Sequence, residues 1–222
     1  MRCADTATLV QTLGALDDAG TPVLLVGGTF TWNIVEGGNT WSSLYFDPMA
    51  YGVAGLLWMP VSLVVSLLMM DAGLYYSHRF MHAKFIFRYI HRWHHRYIAT
   101  TPFVVTAMHP LELIMFQAAT FLPMLVLPTY YLSCILVFVY ILVFNIIDHS
   151  GVKLQSRLPW QGPSSFHDDH HVYFHCNFGQ VLTFWDRFHD TLRREGRRYG
   201  VDVFGGKGKP IDGAVKGKQI RY

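Results

Sequence analysis

Long uncharged stretches alternate along this chain with short segments crowded by charge and histidine. Residues 48 to 70 carry no charged side chain and lie between Asp47 and Asp71. As a helix, such a stretch extends about 34 Å, enough to cross a bilayer. Pro60 predicts a kink within it. Residues 113 to 147 are also uncharged. One helix of that length would overshoot a membrane, and Pro123 and Pro128 interrupt it, so the pattern predicts a helical hairpin turning near Pro128-Thr129 with both ends on one side. Residues 22 to 35 are apolar but short: either a weaker candidate span or a re-entrant segment. The expectation is an all-α integral membrane protein whose stem has three to four spans, hairpin included. An N-terminal segment (1–47) precedes the main body (48–200), and a Gly- and Lys-rich stretch (201–222) reads as a flexible basic tail.

Charge gives the stem a direction. Segment 77–110 holds Arg79, Lys84, Arg88, Arg92 and Arg96, and segment 148–200 holds Lys153, Arg157, Arg187, Arg193, Arg194, Arg197 and Arg198. Segment 36–51 has only Glu36 and Asp47. By the positive-inside bias, 77–110 and 148–222 face the cytosol and 36–51 faces the other side. Charged residues are 15% of the chain, against about 25% in soluble domains. The net charge of +3 comes without a basic reading motif, which excludes a nucleic-acid binder. Cys3, Cys134 and Cys176 are odd in number and widely spaced, as expected of reduced thiols. The first twenty residues carry Asp5, Asp17 and Asp18 and do not read as a secretory signal.

The cytosolic segments carry the chemistry. Three boxes, His78-x3-His82, His91-x2-His94-His95 and His167-x2-His170-His171, hold eight of the twelve histidines. Spacings of three and four put imidazoles on one helix face, so one rigid element presents several ligands. Neutral imidazole is the commonest metal ligand, and one ion takes about four to six donors, so eight suit two metals. A run of interfacial histidines binding zinc incidentally would explain one pair, but not three boxes on one membrane face. His149 follows Asn145 by four where the hairpin re-enters the cytosolic side, which makes it a candidate ninth ligand. His175 follows His171 by four and could extend that face. His109 could be a ligand, a substrate-side residue or a helix cap, and His189 reads as interfacial. Asp71, Tyr75, His78 and His82 share a face, and Asp71 is expected to accept a hydrogen bond from a ligating imidazole. A Gly-x-Ser-x-Gly turn, a His-Glu-x-x-His motif and a dinucleotide fingerprint are all absent, so reducing power must come from elsewhere.

These motifs resemble the fatty acid hydroxylase superfamily of membrane oxygen-dependent enzymes, which includes methylsterol oxidases, cholesterol 25-hydroxylases, sterol C5-desaturases and fatty acid 2-hydroxylases. The resemblance runs from Asp71 to Thr191, through His109-Pro-x-Glu112, Asp148-His149-Ser-Gly151, His175-Cys-Asn177-Phe178 and Thr183-x-Trp185-Asp186-Arg187-x3-Thr191. That ending looks most like the methylsterol oxidase and cholesterol 25-hydroxylase branch. Asn145 departs from the fatty acid 2-hydroxylase pattern, which has histidine there. The resemblance implies two iron ions held by the histidines in a cytosolic helical cap, with O2 as co-substrate. Electrons would come from a separate cytochrome b5 or an NAD(P)H-dependent reductase. It also implies a site in the endoplasmic reticulum membrane, or the cell membrane of a bacterium. The expected reaction is hydroxylation of an unactivated C–H bond in a sterol-like or other hydrophobic lipid. Asp71, Asp148 and Asn145 are the candidate catalytic residues. Alternatives are a desaturase, a tailoring oxidase of a polyketide or terpenoid, and a non-catalytic metal-binding membrane protein.

Overall fold

The computed structural model describes residues 44–49, 51–158 and 160–211. Segment 22–35 and the last residues of the tail lie outside them. Among the described residues there are six helices: α1 (Gly52–Met81), α2 (Lys84–Tyr89), α3 (Pro110–Val126), α4 (Tyr131–Asp148), α5 (Ser165–Tyr173) and α6 (Phe184–His189). Two 3₁₀ segments, His91–Arg96 and Pro102–Thr106, stand between α2 and α3. Two short strand pairs complete the described residues: β1 (Leu44–Tyr45) runs parallel to β2 (Thr129–Tyr130), and β3 (Arg197–Arg198) runs antiparallel to β4 (Lys209–Pro210).

The chain divides into two compact units. In one, a tight turn leads into α1: Asp47 Oδ1 accepts from the Met49 amide at 2.8 Å, and Gly52 takes φ +60°, a conformation that favours glycine. The turn between α3 and α4, at Leu127–Tyr130, is held beside it. β1 pairs with β2, Trp58 donates its indole N–H to the Pro128 carbonyl, and Phe46 stacks on Tyr131. The expected hairpin turn is thus where the structure has one.

α1 is thirty residues long and continues through Pro60. Just after the proline, the Ser62 hydroxyl donates to the Met59 carbonyl at 2.9 Å. α1 and α4 are long and apolar enough to cross a membrane; α3, at seventeen residues, is shorter. Only 22% and 28% of their most apolar windows are buried, with Leu57, Val64, Ile135 and Val143 exposed. Apolar helices so little covered suit lipid contact better than a soluble core.

The second unit holds the histidines. α1 and α3 approach closely at Gly73, where a Cβ would stand 3.1 Å from that of Ala119. The sequence reading of 201–222 as a flexible tail meets a different arrangement over 201–211. β4 pairs with β3, Val203 is buried, and Gly206 sits so tightly that a Cβ would collide with Thr191 and Phe178. The glycines here permit close packing and positive φ rather than marking slack.

Candidate metal centre

Nine imidazoles converge in two buried groups. His78, His82, His91, His95 and His170 form one, and His94, His149, His167 and His171 form the other. Adjacent histidines divide between them. Successive helical residues point about 100° apart, so His94 and His95 serve different groups, as do His170 and His171. Both adjacent pairs have ring planes at 88°. The second box achieves this in a 3₁₀ segment rather than the α-helix its spacing suggests.

The spacing of the nitrogens fits a metal. In the five-histidine group the Nε2 atoms of His91 and His95 are 3.1 Å apart, and those of His95 and His170 are 3.0 Å apart. In the four-histidine group the corresponding separations are 3.4 Å (His149–His94), 3.0 Å (His167–His149) and 3.2 Å (His171–His167). Nitrogens each about 2.1 Å from one ion stand about 3.0 Å apart at a right angle and about 3.4 Å apart at a tetrahedral angle.

Hydrogen bonds on the far side of several rings set which nitrogen is bare. His78 Nδ1 meets the Phe178 carbonyl at 2.8 Å, His170 Nδ1 the Cys176 carbonyl at 2.6 Å, and His149 Nδ1 the Asn145 carbonyl at 2.8 Å. Each carbonyl only accepts, so each Nδ1 carries the proton and each Nε2 presents a lone pair. His91 Nδ1 meets Glu112 Oε1 at 2.6 Å. Bare Nε2 atoms turned toward the other imidazoles of a group are the arrangement in which a cation could be held between them. His82 Nε2 is buried and has no hydrogen-bond partner among the described residues, the feature expected of an atom reserved for an ion. Burial pushes His82, His91, His95, His167, His170 and His171 well below the ordinary imidazole range, and neighbouring imidazoles push the same way. His94 is pushed down to about 3, again chiefly by burial. Neutral imidazoles are the ligating form.

His175 stands outside both groups. Its Nε2 meets the Val201 carbonyl at 3.1 Å, which leaves Nδ1 to accept; His82 Nδ1 lies 2.9 Å away and donates. His175 therefore fixes the tautomer of His82. Asp71 does not meet an imidazole as the sequence suggested. Its Oδ1 accepts from the Val181 and Leu182 amides, each at 3.1 Å. Asp186, which sequence reasoning left without a role, accepts from the Phe178 amide at 2.9 Å, the Gly179 amide at 2.6 Å and the Thr191 hydroxyl at 2.6 Å. The two carboxylates thus pin the loop whose carbonyls orient His78 and His170. Gly179 is required there, because a Cβ would stand 2.6 Å from the Leu182 carbonyl. Asn145 contributes its backbone carbonyl to His149, while its side chain donates to the Ile141 carbonyl at 2.9 Å. Asp148 is buried, and its Oδ1 takes no hydrogen bond among the described residues. His109 is the helix cap among its three readings, its Nδ1 accepting from the Leu111 amide at 3.2 Å. His189 stacks on Tyr75 and meets the Tyr76 hydroxyl.

A cavity of about 210 Å³ opens against His78, His91, His94, His149 and His167. Its other walls are mostly apolar, including Leu74, Val105, Phe116, Phe138 and Ile141, with Thr106, Glu112, Gln117, Thr120, Asn145 and Gln180 as the polar exceptions.

A family model described as fatty acid hydroxylase matches residues 63–191. Curated relatives include Delta(7)-sterol 5(6)-desaturases of three yeasts. The chain is 28% identical to that of Candida glabrata over 166 residues, 75% of this chain and 45% of the relative. It is 29% identical to that of Saccharomyces cerevisiae over 168 residues, 75% and 45%, and 30% identical to that of Candida albicans over 158 residues, 70% and 40%. The chain therefore spans less than half the length of these relatives. No solved structure matches it. The family match covers more than half of the sequence and encloses all nine clustered histidines, so the chain belongs to the fatty acid hydroxylase family.

Proposed function

We propose that this chain is the catalytic core of a membrane di-iron oxidase that uses O2 to attack an unactivated C–H bond of a sterol-like lipid. The observation that carries the reading is the pair of all-histidine groups at the wall of an apolar cavity. Two irons held there, one by His78, His82, His91, His95 and His170 and the other by His94, His149, His167 and His171, would supply O2 activation and oxidising power. The protein's own residues do the rest. Glu112 and the Phe178, Cys176 and Asn145 carbonyls hold ligand rings in one tautomer, and His175 does the same for His82. Asp71 and Asp186 keep the carbonyl-bearing loop in place. Apolar cavity walls exclude water and accept hydrocarbon. Asn145, Gln117 and Gln180 offer polar groups to orient an oxygen-bearing substrate.

The relatives are named for sterol desaturation, and that weighs toward removal of two hydrogens; hydroxylation is the second reading, favoured by the methylsterol oxidase-like Thr183-x-Trp-Asp-Arg ending. α1 and the α3–α4 hairpin form the stem, joined by segment 22–35 if that spans. The histidine-bearing helices form the cytosolic cap. In a eukaryotic cell the site is the endoplasmic reticulum membrane, and electrons come from cytochrome b5 or a reductase. The decisive experiment uses membranes from iron-supplemented cells, supplied with reductant, O2 and a sterol mixture. About two irons per chain and a product lighter by two hydrogens identify a desaturase; a product heavier by one oxygen identifies a hydroxylase. Iron with no oxygen-dependent product from any sterol or lipid fraction overturns the reading. Purified protein can carry zinc, which binds neutral imidazoles more tightly than ferrous iron, so metal identity is read from iron-supplemented material.

A further inference from the structure

The described residues contain a second concavity, away from the apolar cavity and open to solvent, of roughly 620 Å³. Arg88, Arg92 and Arg96 line its rim with Trp93, and His95 and Phe174 lie in its wall. The arginines and Trp93 are exposed, and no salt bridge engages any of the three among the described residues. They continue a basic series that starts at Lys84 and repeats every fourth residue, and residues 83–111 contain no Asp or Glu. His95 belongs to the five-histidine group. The concavity therefore brings a positive surface to the back of a proposed metal ligand, on a face the lipid cavity does not use.

We infer that this arginine-rimmed concavity is the docking surface for an acidic electron-carrier protein. The inference rests on the function proposed above. Inserting one oxygen atom consumes one O2, two electrons and two protons and leaves one water. Removing two hydrogens consumes the same and leaves two waters. In either case two electrons must come from a donor, and the sequence has no dinucleotide fingerprint. They must enter where a carrier can approach the metal ligands. Positive-inside bias accounts for the sign of the loop. It does not account for three arginines, none of them bridged to a carboxylate among the described residues, around a hollow that His95 helps to line. Anionic lipid headgroups would also meet arginine, but they need no concavity reaching a ligand. Rim charges of this kind act mainly on encounter rate and salt dependence.

The test uses full-length protein in neutral-lipid nanodiscs, with the soluble haem domain of cytochrome b5 as probe. The variant is Arg88→Gln/Arg92→Gln/Arg96→Gln. Affinity is measured at low and high salt, and turnover is driven in parallel by a small chemical reductant. Loss of about three rim charges should weaken binding about tenfold at low salt and flatten its salt dependence. Reductant-driven turnover and iron content should match the parent. If the probe binds the parent and variant equally, or does not bind the parent, the inference is overturned. It is equally overturned if the variant changes only the retention of anionic lipid. Arginine-dependent binding without turnover under any reductant would uphold the docking surface and count against the oxidase reading instead.

Discussion

His175 shows how a sequence can place a histidine correctly and still mislead about its work. Spacing puts it four residues beyond His171, on what looks like a ligand face. The chain turns first: Phe174 takes φ 67° at the end of α5, and the ring swings to His82, ninety-three residues away in sequence. His175→Ala should remove the acceptor that fixes His82, weakening one of two metal sites by about ten- to a hundredfold. His175→Gln keeps a donor for Val201 and an acceptor for His82, and should recover much of that affinity. Chelator competition on purified protein reads both, and an unchanged affinity in the alanine variant would refute the relay. Asp71 was legible as a special residue because a carboxylate near an apolar span is costly. Its partners were not, because they are amides 110 and 111 residues away. The buried imidazoles also set a pH dependence. Their folded pKa values lie below the unfolded value of about 6.5, so below that pH the unfolded chain binds more protons. Through these imidazoles, stability of the metal-free protein should fall as pH drops below about 6.5, continuing toward about 3 for His94. Bound metal competes with protons and should move the loss to lower pH. Circular dichroism against pH, with and without metal, checks this; a metal-free protein equally stable at pH 7 and 5 would contradict it.

At the scale of elements, charge-free length located the helices well and their ends poorly. The first uncharged run ends at Met70, yet α1 continues to Met81 without a break. That continuity joins the first box to the apolar stem, so the position of His78 and His82 depends on how α1 packs. Gly73 is a point of close approach to α3. Gly73→Val should force the helices apart, cost about 1–3 kcal/mol and lower both melting temperature and metal content, with Gly73→Ala milder. A valine variant with parental metal content and melting temperature would show that this crossing does not position the site. The second box was legible as a ligand cluster but not as a 3₁₀ segment. Its division between two metal groups arises because neighbouring residues point in different directions, which a count of histidines cannot reveal.

For the molecule as a whole, one arrangement ties the stem to the chemistry. The strand pair β1–β2 and the Trp58–Pro128 hydrogen bond hold the start of α1 beside the α3–α4 turn. α1 and α4 each lead from that end into a segment bearing histidines, α1 into His78 and His82 and α4 into His149. If both helices cross the bilayer, Asp47 and Thr129 share one side, and all three boxes share the other. Basic residues in 77–110 and 148–200, and their lack in 36–51, then predict a cytosolic histidine side. Single cysteines placed in otherwise cysteine-free protein test this in sealed membranes with an impermeant maleimide. Cysteine at Tyr97 or Ser156, both outside the apolar runs, should react from the cytosolic side alone. Cysteine at Asp47 should react only from the opposite side. Labelling of Asp47→Cys and Tyr97→Cys from the same side would mean that α1 does not cross. The exposed apolar faces of α1 and α4 would then need a protein partner in place of lipid.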